Sequence, residues 1–196
     1  MEKMPSTFFS LVITLTVITL VASVSLGFVY QWTKEPIAQA QLKKQLKAIE
    51  AVVPGYTNNP IEEKFYIRTE DGIDSLECYP ARKESALIGM AIKTYSAKGY
   101  SGDIWIMVGF TPDGTIQNIV VIDHKETPGL GSKMTSPAFV NQYIGKNPGK
   151  DNLKVKKDGG TVDAIAGATI SSRAYTEAVM RAYTTYIQSS VYGTAE

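Results

Sequence analysis

Residues 8–30 carry no charged side chain and are rich in Leu, Val, Ile and Thr, and no other feature limits so strongly what this chain can fold into. As a helix the segment is roughly 34 Å long at the usual rise per residue, against a hydrocarbon thickness of ~30 Å, so it can span a bilayer. A cleaved signal peptide is the competing reading, because Lys3 gives a basic start and Ser23-Val24-Ser25 a small-x-small site. The apolar run continues past that site through Leu26, Gly27, Phe28 and Val29, and Tyr30 and Trp32 then supply an interfacial belt, which favours an uncleaved anchor. Lipidation is excluded, since it needs a cysteine just after the run and the only one is Cys78. Lys3 before the span and Lys34, Lys43, Lys44 and Lys47 after it nearly balance, so charge alone does not orient it.

Beyond the anchor, Ile37, Leu42, Leu46, Ile49 and Val53 recur at spacings near three and four with lysines between them. This predicts an amphipathic linker helix over 34–53, ended by Pro54-Gly55, whose stripe packs on the domain that follows, with a stripe reserved for another subunit as the alternative. Residues 54–196 suffice for one globular core. There, short apolar runs alternate with turn chemistry and predict strands over 64–69, 76–79, 86–95, 104–110 and 115–123, mostly hairpin-connected, with turns at Asp71-Gly72 and Pro112-Asp113-Gly114. A helix is expected from Ser136 as N-cap with Pro137 at its first position, burying Phe139, Val140 and Tyr143. Residues 145–160 read as an exposed connection and 161–165 as a last strand. A closing helix from Ser172 carries the stripe Tyr175, Ala178, Val179, Ala182, Tyr183, Tyr186 and Ile187. The fold class is therefore α+β: one transmembrane helix, then a domain with a mostly antiparallel sheet packed against helices.

Composition removes several function classes. The formal net charge is +1 and no basic block with interleaved aromatics occurs, which argues against a nucleic-acid partner. One cysteine cannot hold an iron-sulfur cluster, no Asp/Glu/His group has metal-ligand spacing, and neither a nucleophile-base pair nor a phosphate-cradling glycine loop is present. Any redox centre would be an organic cofactor. His124 is the only histidine, and a structural role is favoured over a proton-transfer role for it.

Two short stretches carry chemistry. In Asp163-Ala164-Ile165-Ala166-Gly167-Ala168-Thr169, small residues leave the Thr169 hydroxyl open just ahead of Ser171 and Ser172, where the first turn of a helix favours an anion. By pattern alone this is a strand-to-helix turn with Ser171 or Ser172 as N-cap. In His124-Lys125-Glu126-Thr127-Pro128-Gly129-Leu130-Gly131, Glu126 and Thr127 are polar, Pro128 stiffens the chain and the glycines allow close approach.

Together these stretches resemble the FMN-binding domain family, seen in the G subunit of Rnf complexes and the C subunit of Na+-translocating NADH:quinone reductases. Asp-x-x-x-Gly-Ala-Thr is similar to its flavinylation motif, and Glu-Thr-Pro-Gly-Leu-Gly to a second signature. Gly99-Tyr100-Ser101-Gly102 is a third, weaker match. Ala166 departs from the pattern, standing where the family usually has Ser or Thr. The resemblance implies FMN attached through a phosphoester to Thr169 by a flavin transferase that uses FAD, with Asp163, Gly167, Ala168, Ser171, Glu126, Thr127, Gly129 and Leu130 about the cofactor. Arg173 is a candidate partner of the phosphoester. The resemblance also implies a single-pass protein of the cytoplasmic membrane, with a short cytoplasmic stretch over 1–7 and the flavin domain on the periplasmic side. Its partners would be other members of an ion-translocating electron-transport complex working between ferredoxin and NAD+. The C subunit of the quinone reductases is the nearest alternative, and a membrane-tethered flavin-binding or sensory module, or a structural component with a bare threonine, are the others.

Overall fold

The computed structural model describes residues 8–69 and 72–192, so the expected stretch over 1–7, Asp71 of the Asp71-Gly72 turn and residues 193–196 lie outside the described residues. The chain divides into two units, 1–43 and 44–196. The first is helix throughout its described residues, with its apolar side chains exposed from Phe8 to Trp32. It belongs to α1 (Phe8–Val52), the one helix among the described residues long and apolar enough to cross a membrane. The anchor expected over 8–30 and nearly all of the linker helix expected over 34–53 lie on this one helix, which has Pro36 inside it. The predicted stripe also narrows: Ile37, Leu42 and Leu46 are exposed, whereas Ile49 and Val53 are fully buried together with Ala48 and Val52.

The second unit is built on a five-stranded antiparallel sheet in sequential order: β1 (Phe65–Arg68), β2 (Ser75–Lys83), β3 (Ala86–Ser96), β4 (Ile104–Phe110) and β5 (Ile116–His124). Period-two alternation sends Cys78, Ile92, Ile106 and Val108 to one face and Tyr79, Ala91 and Met107 to the other. The first face packs on the closing helix, Thr169–Tyr192, which buries Tyr175, Ala178, Val179, Ala182 and Tyr186. Tyr183 is half-buried and Ile187 exposed, so the stripe is narrower at its end than its spacing suggested. The second face receives the last turn of α1.

Strand β2 continues four residues beyond the expected Tyr79, through Pro80. A proline is tolerated because β1 pairs only as far as Cys78, and on that side Asn58 takes over: its Nδ2 donates to Pro80 O at 2.9 Å and its Oδ1 accepts from Arg82 N–H at 2.9 Å. The missing N–H therefore falls on an unpaired edge.

Three other expectations are corrected. Residues 161–165 form no strand; Thr161 N–H and Val162 N–H donate to Asn152 O (3.0 Å) and Lys154 O (3.1 Å), so this backbone pairs with a neighbouring loop. The 145–160 connection is not uniformly exposed, since Asn147, Leu153 and Val155 are buried and Lys156–Asp158 makes a 3₁₀ turn. Finally, α2 (Pro137–Val140) is a single turn preceded by the 3₁₀ segment Gly131–Thr135. It buries Phe139, Val140 and the following Tyr143 as expected, and Ser136 holds the N-cap position before Pro137, but its side chain makes no cap bond and its hydroxyl donates backward to Lys133 O at 2.7 Å.

Candidate functional site

The closing helix, α3 (Thr169–Tyr192), begins three residues before the predicted start. The Ala168 carbonyl accepts both Ser172 N–H (3.0 Å) and Ser172 Oγ–H (2.9 Å), and Ser172 Oγ in turn accepts Ile165 N–H at 2.9 Å. Ser172 thus ties the first turn to the incoming chain from inside the helix, and neither it nor Ser171 is the N-cap that pattern suggested. Gly167 enters the helix with φ +76°, a left-handed value that a side chain would strain. The N–H groups of Thr169, Ile170 and Ser171 precede the first intrahelical bond, and such amides are left for caps, water or an anion.

This turn forms one wall of a cavity of about 520 Å³, lined also by Glu126, Thr127, Leu130 and Gly131 from the loop after β5, by Tyr100 from the loop between β3 and β4, and by Lys157. The two loops and the helix start meet at a buried carboxylate. Glu126 Oε1 accepts from Ser101 N–H at 3.1 Å, and its Oε2 accepts from Ser171 Oγ–H at 2.8 Å. At Gly131 an added Cβ would lie 2.6 Å from Glu126 Oε2 and 2.8 Å from Ser171 Oγ, so only glycine lets the loop close over this junction. His124 ends β5 outside the cavity lining, and its Nδ1 accepts from Glu126 N–H at 3.2 Å, which gives it a loop-holding contact.

Of the nine residues singled out from sequence, seven line this cavity: Thr169, Gly167, Ala168, Ser171, Glu126, Thr127 and Leu130. Gly129 does not; it sits at φ +76° with its N–H donating to Ser132 Oγ. Asp163 does not either. Its carboxylate pairs with Lys156 Nζ at 2.7 Å while its backbone exchanges hydrogen bonds with the Gln142 amide. Arg173 is likewise engaged elsewhere, in a two-pronged pair with Asp158 at 2.6 and 2.8 Å that holds the Asp158 carboxyl below the usual carboxylate range. Sequence reasoning missed Lys157 and Ile170. Nothing in local spacing marks Lys157, which lies in a stretch read as a plain connection, whereas the weak match at 99–102 already pointed towards Tyr100.

The cavity's size falls in the range of small-molecule and cofactor sites. Its chemistry also suits a phosphorylated aromatic ligand: open helix amides, a half-buried hydroxyl at Thr169 and a lysine at one side, with exposed Tyr100, Leu130 and Ile170 as apolar surface. FMN has that character, so the residues present fit it.

Comparison with known proteins agrees. The FMN-binding domain profile matches residues 99–184. Among curated proteins, the chain is 34% identical to the G subunit of the ion-translocating oxidoreductase complex of Vibrio cholerae serotype O1, covering 85% of each chain. It is 35% identical to the protein of the same name from Aliivibrio fischeri, covering 88% of this chain and 86% of that one. Among solved structures, the C subunit of the Na(+)-translocating NADH-quinone reductase from Parabacteroides distasonis shares the fold, with a TM-score of 0.53 at 20% identity over 76% of this chain and 93% of that one.

Proposed function

Since the chain belongs to the FMN-binding domain family, as a relative of the G-subunit proteins of ion-translocating oxidoreductase complexes, we propose that it is the covalently flavinylated member of an Rnf-type complex, carrying electrons between ferredoxin and NAD+. It works as an electron carrier among other subunits and is not a stand-alone catalyst. One observation carries the reading: Thr169 opens α3 inside a cavity walled by both sequence signatures.

The Thr169 hydroxyl is the attachment point. Its oxygen bonds to the FMN-side phosphorus of FAD, the pyrophosphate bond breaks, AMP leaves and the hydroxyl proton passes to solvent, with a flavin transferase as catalyst. Gly167 and Ala168 keep the approach open, and the helix dipole favours the remaining phosphoester charge by about 0.3 to 1 kcal/mol. Once bound, the flavin supplies the redox chemistry, and the protein supplies orientation and solvent control. Tyr100, Leu130 and Ile170 offer the ring an apolar surface, while the Glu126 junction holds the walls together. The tether keeps the cofactor at high local concentration, which suits a domain held by α1 on the periplasmic side of the cytoplasmic membrane.

Intact-mass analysis of the full chain co-expressed with a flavin transferase tests this directly. The wild type should gain the mass of one FMN less one water, and Thr169→Val should gain nothing. Modification of the valine variant would place the attachment elsewhere.

A further inference from the structure

Two basic side chains close to the cavity in the fold are engaged with acids. Lys156 holds Asp163 at 2.7 Å, and Arg173 holds Asp158 through two bonds. Lys157 stands between these pairs in sequence, lines the same cavity as Thr169, and has no carboxylate within ion-pair distance among the described residues. The one acid lining the cavity among the described residues, Glu126, accepts from Ser101 N–H and Ser171 Oγ–H and faces the junction of the loops. The Arg173–Asp158 pair joins the second turn of α3 to the 3₁₀ turn Lys156–Asp158, and so holds Lys157 beside the helix start.

On the reading that Thr169 carries FMN, we infer that Lys157 supplies the cation that pairs with the phosphoester, and that Arg173 and Asp158 position it. The assignment follows from charge and place. A phosphodiester carries one negative charge at neutral pH, and among the described residues Lys157 is the sole cation lining the cavity that would hold it. Asp158 and Asp163 bind the neighbouring cations, leaving the Lys157 ammonium to a ligand. Arg173, one turn along α3, is a positioning residue because its guanidinium is directed at Asp158.

The test compares wild type, Lys157→Arg, Lys157→Gln and Lys157→Glu as full chains in detergent, each before and after complete flavinylation by a flavin transferase with excess FAD. Modification is followed by intact mass and stability by thermal unfolding. Pairing predicts that flavinylation raises the Tm of wild type and Lys157→Arg alike, by roughly 1–3 °C more than that of Lys157→Gln, with Lys157→Glu lowest. It also predicts that the difference shrinks at ~1 M salt. An equal rise in all four chains overturns the pairing. Slower modification of Lys157→Glu with an unchanged rise overturns it too, because the transferase would then be what reads Lys157. Absence of any FMN mass gain in wild type would instead overturn the attachment reading on which the inference rests.

Discussion

Two helix ends are seated on this domain, and they are held by different means. The C-terminal turn of α1 rests on apolar contact: Ala48, Ile49, Val52 and Val53 bury against Tyr79, Ala81, Ala91 and Met107. A Cβ at Gly109 would lie 2.2 Å from Val52 O, so the helix backbone lies directly on β4. The N-terminal turn of α3 is held mainly by hydrogen bonds, Ser171 to Glu126 and Ser172 to both Ile165 and Ala168. Apolar burial is strong and non-directional, which suffices to seat a helix end. Hydrogen bonds give less net stability but fix direction, and they are costly when half-made. On the proposal that Thr169 carries FMN, its hydroxyl has to stay open in one orientation, and that needs the second kind of seat.

Substitutions that separate stability from modification would break or sharpen this contrast. The largest stability loss is expected for Ile49→Ala, about 2 to 5 kcal/mol, from the fully buried side chain and the cavity it leaves. Thermal unfolding of the full chain in detergent measures it, and below its Tm this variant should still be flavinylated at the wild-type rate. A slowed rate would show that the two seats are coupled.

Glu126→Ala should cost less, about 1 to 3 kcal/mol, because it strands the Ser101 N–H and the Ser171 hydroxyl. Yet it should slow flavinylation, since the loop and the first turn of α3 lose their shared acceptor. Glu126→Gln should fall between that variant and wild type, for the Ser171 hydroxyl can turn to accept from an amide, whereas a backbone N–H cannot reverse. Wild-type modification in the alanine variant would remove Glu126 from the account of the site. The smallest effect is expected at Ala166, which is exposed and outside the cavity lining. Ala166→Ser should change the flavinylation rate by less than roughly twofold, and a large rise would show that the family's usual hydroxyl matters here.

Much of the fold was legible because its signals are local. A charge-free run of membrane length, short apolar runs bounded by turn residues, and the turn at Pro112-Asp113-Gly114 each need only neighbouring residues to be recognised. The misreadings arose where a distant partner decided the outcome. Pro80 looked like a strand end until Asn58 took over the edge. Residues 161–165 had strand-like composition, but their backbone found the loop at 152–154 instead of the sheet. Within the candidate site, the two signatures could be read from residue order, and the cavity brings seven of nine nominated residues together.

By itself, the sequence determined the charge-free run of membrane length, the α+β class and the two signatures from which Thr169 is proposed, because hydropathy, period and motif are properties of residues close in the chain. Tertiary structure alone decided which charges remain for a ligand. Asp163 and Arg173 are the conspicuous candidates in the linear motif, yet folding gives each an opposite charge from elsewhere and leaves Lys157 at the cavity. Ion pairing depends on distance in space, and residue order does not encode which of several nearby cations each carboxylate will meet.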